Sequence, residues 1–94
     1  MVKHIVFYTL KADVDKTAAV KRIASLLEPL VGQIPGLTHL EVRPIYQGDM
    51  DYALYSELES KEALASYAVH PLHIAEKDQF FHMIDTRVSA DYEV

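Results

Sequence analysis

The chain opens on an alternating pattern. In Val2 to Leu10, VKHIVFYTL, an extended backbone puts Val2, His4, Val6 and Tyr8 on one side and Lys3, Ile5, Phe7 and Thr9 on the other. Both sides carry bulk, which predicts a central strand covered on both faces. From Asp15 the period lengthens. Val20, Ile23, Leu27, Leu30 and Val31 recur at helical spacing, while Lys16, Lys21, Arg22 and Glu28 fall largely elsewhere. Pro29 interrupts this helix, removing one donor and crowding the carbonyl of Ser25, so a kink or a break into two pieces is predicted there. Pro35 and Gly36 then end it. LTHLEVRPIY reads as a strand, with Pro44 arguing for an edge or a bulge. QGDMD is a turn and YALYSELE the next strand, which together make an antiparallel hairpin. Ser60 can cap a second helix with Glu62 in its first turn and Leu64, Tyr67 and Ala68 as its apolar stripe. That helix should end near Val69, because His70 precedes Pro71 and residues before proline avoid the helical region. IAEKDQFFH reads as a short helical or irregular segment, and MIDTRVSADYEV as a closing strand with partial alternation.

The resulting order, βαββαβ, is an α+β arrangement with a four-stranded antiparallel sheet and both helices on one face. The other sheet face, carrying Ile5 and Phe7, is then left open. A second copy packed sheet to sheet would cover it.

Composition narrows the function classes. Ninety-four residues make a single domain spanning residues 1–94, and a chain this short buries only roughly 60–68% of its unfolded surface, so a partner subunit would add stability. Half the residues are hydrophobic and 24% are charged, as expected of a packed domain. The absence of cysteine excludes disulfides, thiolate nucleophiles and cysteine-ligated metals, and predicts a reducing, cytoplasmic setting. The net charge of −5 argues against nucleic acid as a partner, since that affinity comes from cationic contacts with phosphate. Val2 to Leu10 falls well short of the roughly 20 apolar residues that span a bilayer, and it lacks the features of a secretion signal, so no membrane partner is expected.

Candidate chemistry concentrates in YAVHPLH, residues 67 to 73. Together with HIVFYTLK, IPGL and the closing ADYEV, this stretch resembles the stress-responsive α/β-barrel (Dabb) family over nearly the whole chain. The resemblance implies a ferredoxin-like domain that pairs as a homodimer, its two sheets closing into one barrel. A more distant likeness to plant olivetolic acid cyclase, which closes a polyketide by aldol condensation without a cofactor, implies His73 as general base and Asp91 as its supporting carboxylate. Tyr67 and His4 match pocket residues of that enzyme. Tyr52 stands where it has a histidine and Leu27 where it has a tyrosine, which separates any shared base from the cyclase's substrate specificity.

A neutral imidazole near pH 7 can take a proton from carbon α to a carbonyl. In this scheme Asp91 fixes the tautomer of His73 and Tyr67 donates to the developing enolate oxygen. The plainer alternative is that His73 hydrogen-bonds Asp91 simply to anchor the second helix to the last strand. His4 shares its strand face with Val6 and Tyr8, so these three, with Tyr52 and Leu27, are candidate ligand-binding residues around a small, largely apolar cavity. His70 is read as capping the end of the second helix. A metal site at His70 and His73 is disfavoured by Pro71 and by the lack of a third ligand, and neither metal nor cofactor is expected. Three functions follow in order: binding of a small apolar or aromatic ligand, cofactor-free polyketide cyclase or lyase chemistry through His73, and a cofactor-free monooxygenase of the related barrel class.

Overall fold

The computed structural model describes all 94 residues. Strand β1 (Val2–Leu10) is followed by helix α1 (Lys16–Leu27) and a 3₁₀ turn (Glu28–Leu30); next come β2 (Leu37–Pro44) and β3 (Tyr52–Leu58), helices α2 (Lys61–Ala68) and α3 (Pro71–Asp78), and finally β4 (Ile84–Glu93) after a second 3₁₀ turn. The four strands form one antiparallel sheet in the order β2-β3-β1-β4, so β1 is central and β2 is an edge that ends at Pro44. This is the ferredoxin-like α+β arrangement.

Local signals account for the helix limits. Asp15 caps α1, its carboxylate accepting from the Ala18 N–H at 3.1 Å. The predicted break at Pro29 takes the form of a 3₁₀ turn directly after Leu27. Gly36 takes φ +85°, and a Cβ there would lie 2.6 Å from the Cβ of Ala63. The glycine therefore permits both the turn into β2 and the close approach of α2.

The helices cover the face carrying Val2, His4, Val6 and Tyr8 of β1 and Tyr52, Leu54, Ser56 and Leu58 of β3. Ile23 and Leu27 of α1 pack there with Leu30, Ile34, Leu37, Leu40 and Val42 in one core. On the opposite face no element covers the sheet. Phe7, Val88 and Tyr92 are 39%, 59% and 49% exposed, and cross-strand pairing puts Phe7 opposite Val88 and Lys3 opposite Tyr92. The bulk read on both sides of β1 is therefore buried within the protomer on one side only.

The segment after Pro71 is a regular helix. The proline occupies its first turn, where a missing N–H costs nothing. His70 does not cap the end of α2 as expected but the N-terminus of α3, where its Nδ1 accepts from the Leu72 N–H at 3.2 Å. The physical reason is that His70 is extended, at φ −67° and ψ 135°, and lies outside α2, whose C-cap is Val69.

Candidate active site

Two helix ends meeting at Val69 and His70 build the site. Ser60 starts α2 by accepting from the Ala63 N–H at 3.0 Å, and this carries Tyr67 into the last turn, where it is 2% exposed. The carbonyl of Ala68, at the C-terminus of α2, has no helical partner ahead of it. His73, in the first turn of α3, faces it, with Nδ1 3.4 Å from the Ala68 oxygen. A carbonyl only accepts, so this long hydrogen bond puts the proton on Nδ1 and leaves the Nε2 lone pair free. The His73 and Tyr67 rings lie 4.3 Å apart at a 31° tilt. Burial is the main cause holding the His73 imidazole below its ordinary titration range; the Ala68 carbonyl opposes it, and Lys77, His4 and Arg87 add repulsion. The ring is neutral at pH 7.

Across from the helices, β1 and β4 form the other wall. Their register sets His4 opposite Asp91 and Tyr8 opposite Arg87. The Asp91 carboxylate accepts a hydrogen bond from His4 Nδ1, which leaves His4, like His73, with an unprotonated Nε2 when neutral. Between the walls lies a cavity of about 410 Å³ bordered by His4, Tyr8, Leu27, Tyr67, His73 and Arg87, together with Phe80 and Phe81. That volume is in the range of small-molecule sites. The Tyr67 hydroxyl is buried without a hydrogen-bond partner, and burial, with the nearby Tyr8, drives its pKa far above that of a free phenol. Tyr67 is thus a neutral O–H donor with nothing to donate to. No group of three or more histidine, cysteine or acidic side chains is arranged to hold a metal ion, and no helix is long and apolar enough to cross a membrane.

The model of the stress responsive A/B barrel domain, Dabb, matches residues 2–94. The chain belongs to the Dabb family. A stress-response A/B barrel domain-containing protein of Arabidopsis thaliana is 29% identical over 99 residues, a match that covers 98% of this chain and 36% of that protein. The Dabb chain therefore spans about a third of that relative's length. A dimeric protein of unknown function and ferredoxin-like fold from Bacteroides fragilis superposes with a TM-score of 0.89 at 30% identity, covering 99% of this chain and 95% of that one. Hydroxynitrile lyase from Passiflora edulis shares the fold, with a TM-score of 0.81 at 17% identity, covering 97% and 90%.

In this Dabb domain the structure brings His4, Tyr8, Leu27, Tyr67 and His73 to one cavity. Three expectations need correction. Asp91 bonds His4, because cross-strand register puts those two side chains on the same side of neighbouring strands, while His73 takes a backbone carbonyl from its own helix pair. Val6 is 1% exposed inside the core and does not border the cavity. Tyr52 is fully buried behind Tyr8, the two rings stacked at 4.6 Å, so Tyr8 alone of the pair forms the wall. Sequence reasoning missed Arg87, Lys77 and the phenylalanine pair at 80 and 81. A signal for Arg87 exists in the last strand: in RVSAD, residues 87 to 91, Arg87 and Asp91 are four positions apart and so share one side of an extended chain.

Proposed function

We propose that this Dabb domain binds a small apolar or aromatic ligand in the cavity between β1, β4 and the α2–α3 junction, and does so as a homodimer. The observation that carries the binding reading is the cavity of about 410 Å³ itself, bordered by apolar and aromatic side chains, with the unpartnered Tyr67 hydroxyl buried in the side chain that forms part of its wall. A buried donor left unsatisfied costs about 1–3 kcal/mol, and a ligand oxygen would recover part of that. The homodimer reading is supported by the exposed Phe7, Val88 and Tyr92 on the open sheet face and by the dimeric description of the Bacteroides fragilis protein. Light scattering at micromolar concentration should give twice the protomer mass, and a monomer would overturn that part. For the site, 2-naphthol is a suitable probe. Titrated into the dimer, it should shift the amide resonances of residues 67–73 and 4–8 in heteronuclear NMR spectra; shifts confined to other regions, or none, would refute the cavity as a ligand site.

One observation favours a second reading, proton transfer without a cofactor. His73 is neutral, with Nδ1 directed at Ala68 and Nε2 free, which supports it as a base toward carbon α to a carbonyl. Nε2 would take the proton, the electron pair would move onto the carbonyl oxygen, and Tyr67 would donate to that enolate before ring closure by aldol attack. Asp91 would act through His4 in this scheme, on the opposite wall. Such a base contributes roughly 10²–10⁴ in rate, so His73→Ala should lose cyclisation of a reactive poly-β-ketone while the dimer persists. Retained turnover would remove His73 from the mechanism.

A further inference from the structure

We propose that the ligand carries a carboxylate, gripped by Arg87, with an apolar body lodged among Tyr8, Leu27, Tyr67 and Phe80. The inference rests on the cavity being a small-molecule site and names the class of molecule it takes.

The chain as a whole is acidic, with 14 Asp and Glu against 9 Lys and Arg. Around the cavity the balance inverts, with Lys77 and Arg87 against Asp85 as the single acid. Lys77 is occupied, its ammonium 5.4 Å from the centre of the Phe81 ring. Arg87 has no carboxylate partner, and its polar neighbours are the hydroxyls of Tyr8 and Ser89. It donates a long hydrogen bond to the Ser89 hydroxyl at 3.4 Å and enters no ion pair, although every other arginine in the chain has an acidic or amide partner. Many surface arginines are simply solvated. This one differs in place: antiparallel register sets it opposite Tyr8 on the helix-facing side of β4, against an otherwise largely apolar wall. It is close enough to Tyr8 to offset part of the rise that burial imposes on that phenol, and it contributes to keeping His73 neutral.

A planar fork of N–H donors matches a carboxylate in two parallel hydrogen bonds, and a charge-assisted pair of this kind is about twice as strong as a neutral one. The neighbouring polar groups fit the same ligand. With an anion on Arg87, the Tyr67 hydroxyl and the two free imidazole Nε2 atoms remain for the rest of the molecule.

The test compares 2-naphthoate with 2-naphthol by calorimetric titration of the dimer. The carboxylate should bind about tenfold more tightly. In Arg87→Met that preference should vanish while 2-naphthol affinity stays, and in Arg87→Lys, which keeps charge without the fork, it should fall severalfold. Equal affinities in the native protein, a preference that survives in Arg87→Met, or one undiminished in Arg87→Lys, would overturn the inference and leave the cavity reading standing. If neither probe binds, the cavity reading fails and takes the inference with it. Arg87 pairing instead with an acid of the second copy would show as dissociation of the dimer in Arg87→Met with equal affinities in the native protein, which also overturns it. Should Arg87→Met prove unfolded by circular dichroism, Arg87→Lys carries the comparison alone.

Discussion

The two halves of the helix-facing side of the sheet differ sharply. Over β2 and β3, Leu37, Leu40, Val42, Tyr52 and Leu58 meet α1 and the 3₁₀ turn with every side chain buried. Over β4 the same side presents Arg87, Ser89 and Asp91, all exposed. Close packing needs apolar bulk from both layers. The first half has it. In the second, Tyr67, His73 and Phe80 face a wall to which β4 gives apolar bulk only at Ile84, its first residue, and the layers do not seal. The cavity lies along this boundary, with Leu27 and Leu54 on its sealed flank and Arg87 on its open one. A binding site therefore arises where hydrophobic patterning runs out on one strand, and the polar groups that interrupt the pattern are the ones left to do chemistry.

Substitutions should separate the halves by the size of their effect. Ile23→Ala empties a fully buried position over the sealed half and should cost about 2–5 kcal/mol in chemical denaturation. Ser89→Ala on the open half should stay within about 0.5 kcal/mol. Comparable losses at both positions would erase the distinction.

Acidification should act through the cavity. His73 titrates below 6.5 in the folded chain and near 6.5 when unfolded, so the unfolded state binds the proton more readily. The stability contributed by the neutral ring is complete above pH 6.5 and is lost as pH falls toward and through the lower folded value. Unfolding free energy should thus decline as pH falls below about 6.5, and more gently in His73→Gln. Parallel pH profiles would mean that the ring is hydrated like an ordinary surface histidine.

A small gain in stability is the most informative about function. Tyr67→Phe removes a buried hydroxyl that has no partner, so unfolding free energy should hold or rise by up to about 1 kcal/mol. Affinity for 2-naphthol should fall several-fold. A loss of stability instead would show that the hydroxyl is already satisfied within the fold.

Much of this architecture is legible along the chain because its causes are local. The alternation of β1, the break at Pro29, the cap at Ser60 and the hairpin around QGDMD each depend on residues a few positions apart. Tyr67 and His73 are also within reach, since Pro71 forces two helix ends together within seven residues. The assignment of Asp91 is not. Its partner depends on how β1 and β4 slide past one another, and His4 and Asp91 are 87 positions apart. A slip of one residue would turn Asp91 to the other face.

The sequence by itself determined which elements form, where they stop, and that β1 would carry apolar bulk on both faces, because periodicity, capping and proline act over a turn or two of chain. The tertiary structure alone decided that Asp91 belongs to His4, that a backbone carbonyl sets the tautomer of His73, and that Tyr52 lies hidden behind Tyr8 while Arg87 is left without an acidic partner. Those outcomes rest on strand register and on which surfaces fail to meet, and such distances are set by the packing of the whole domain.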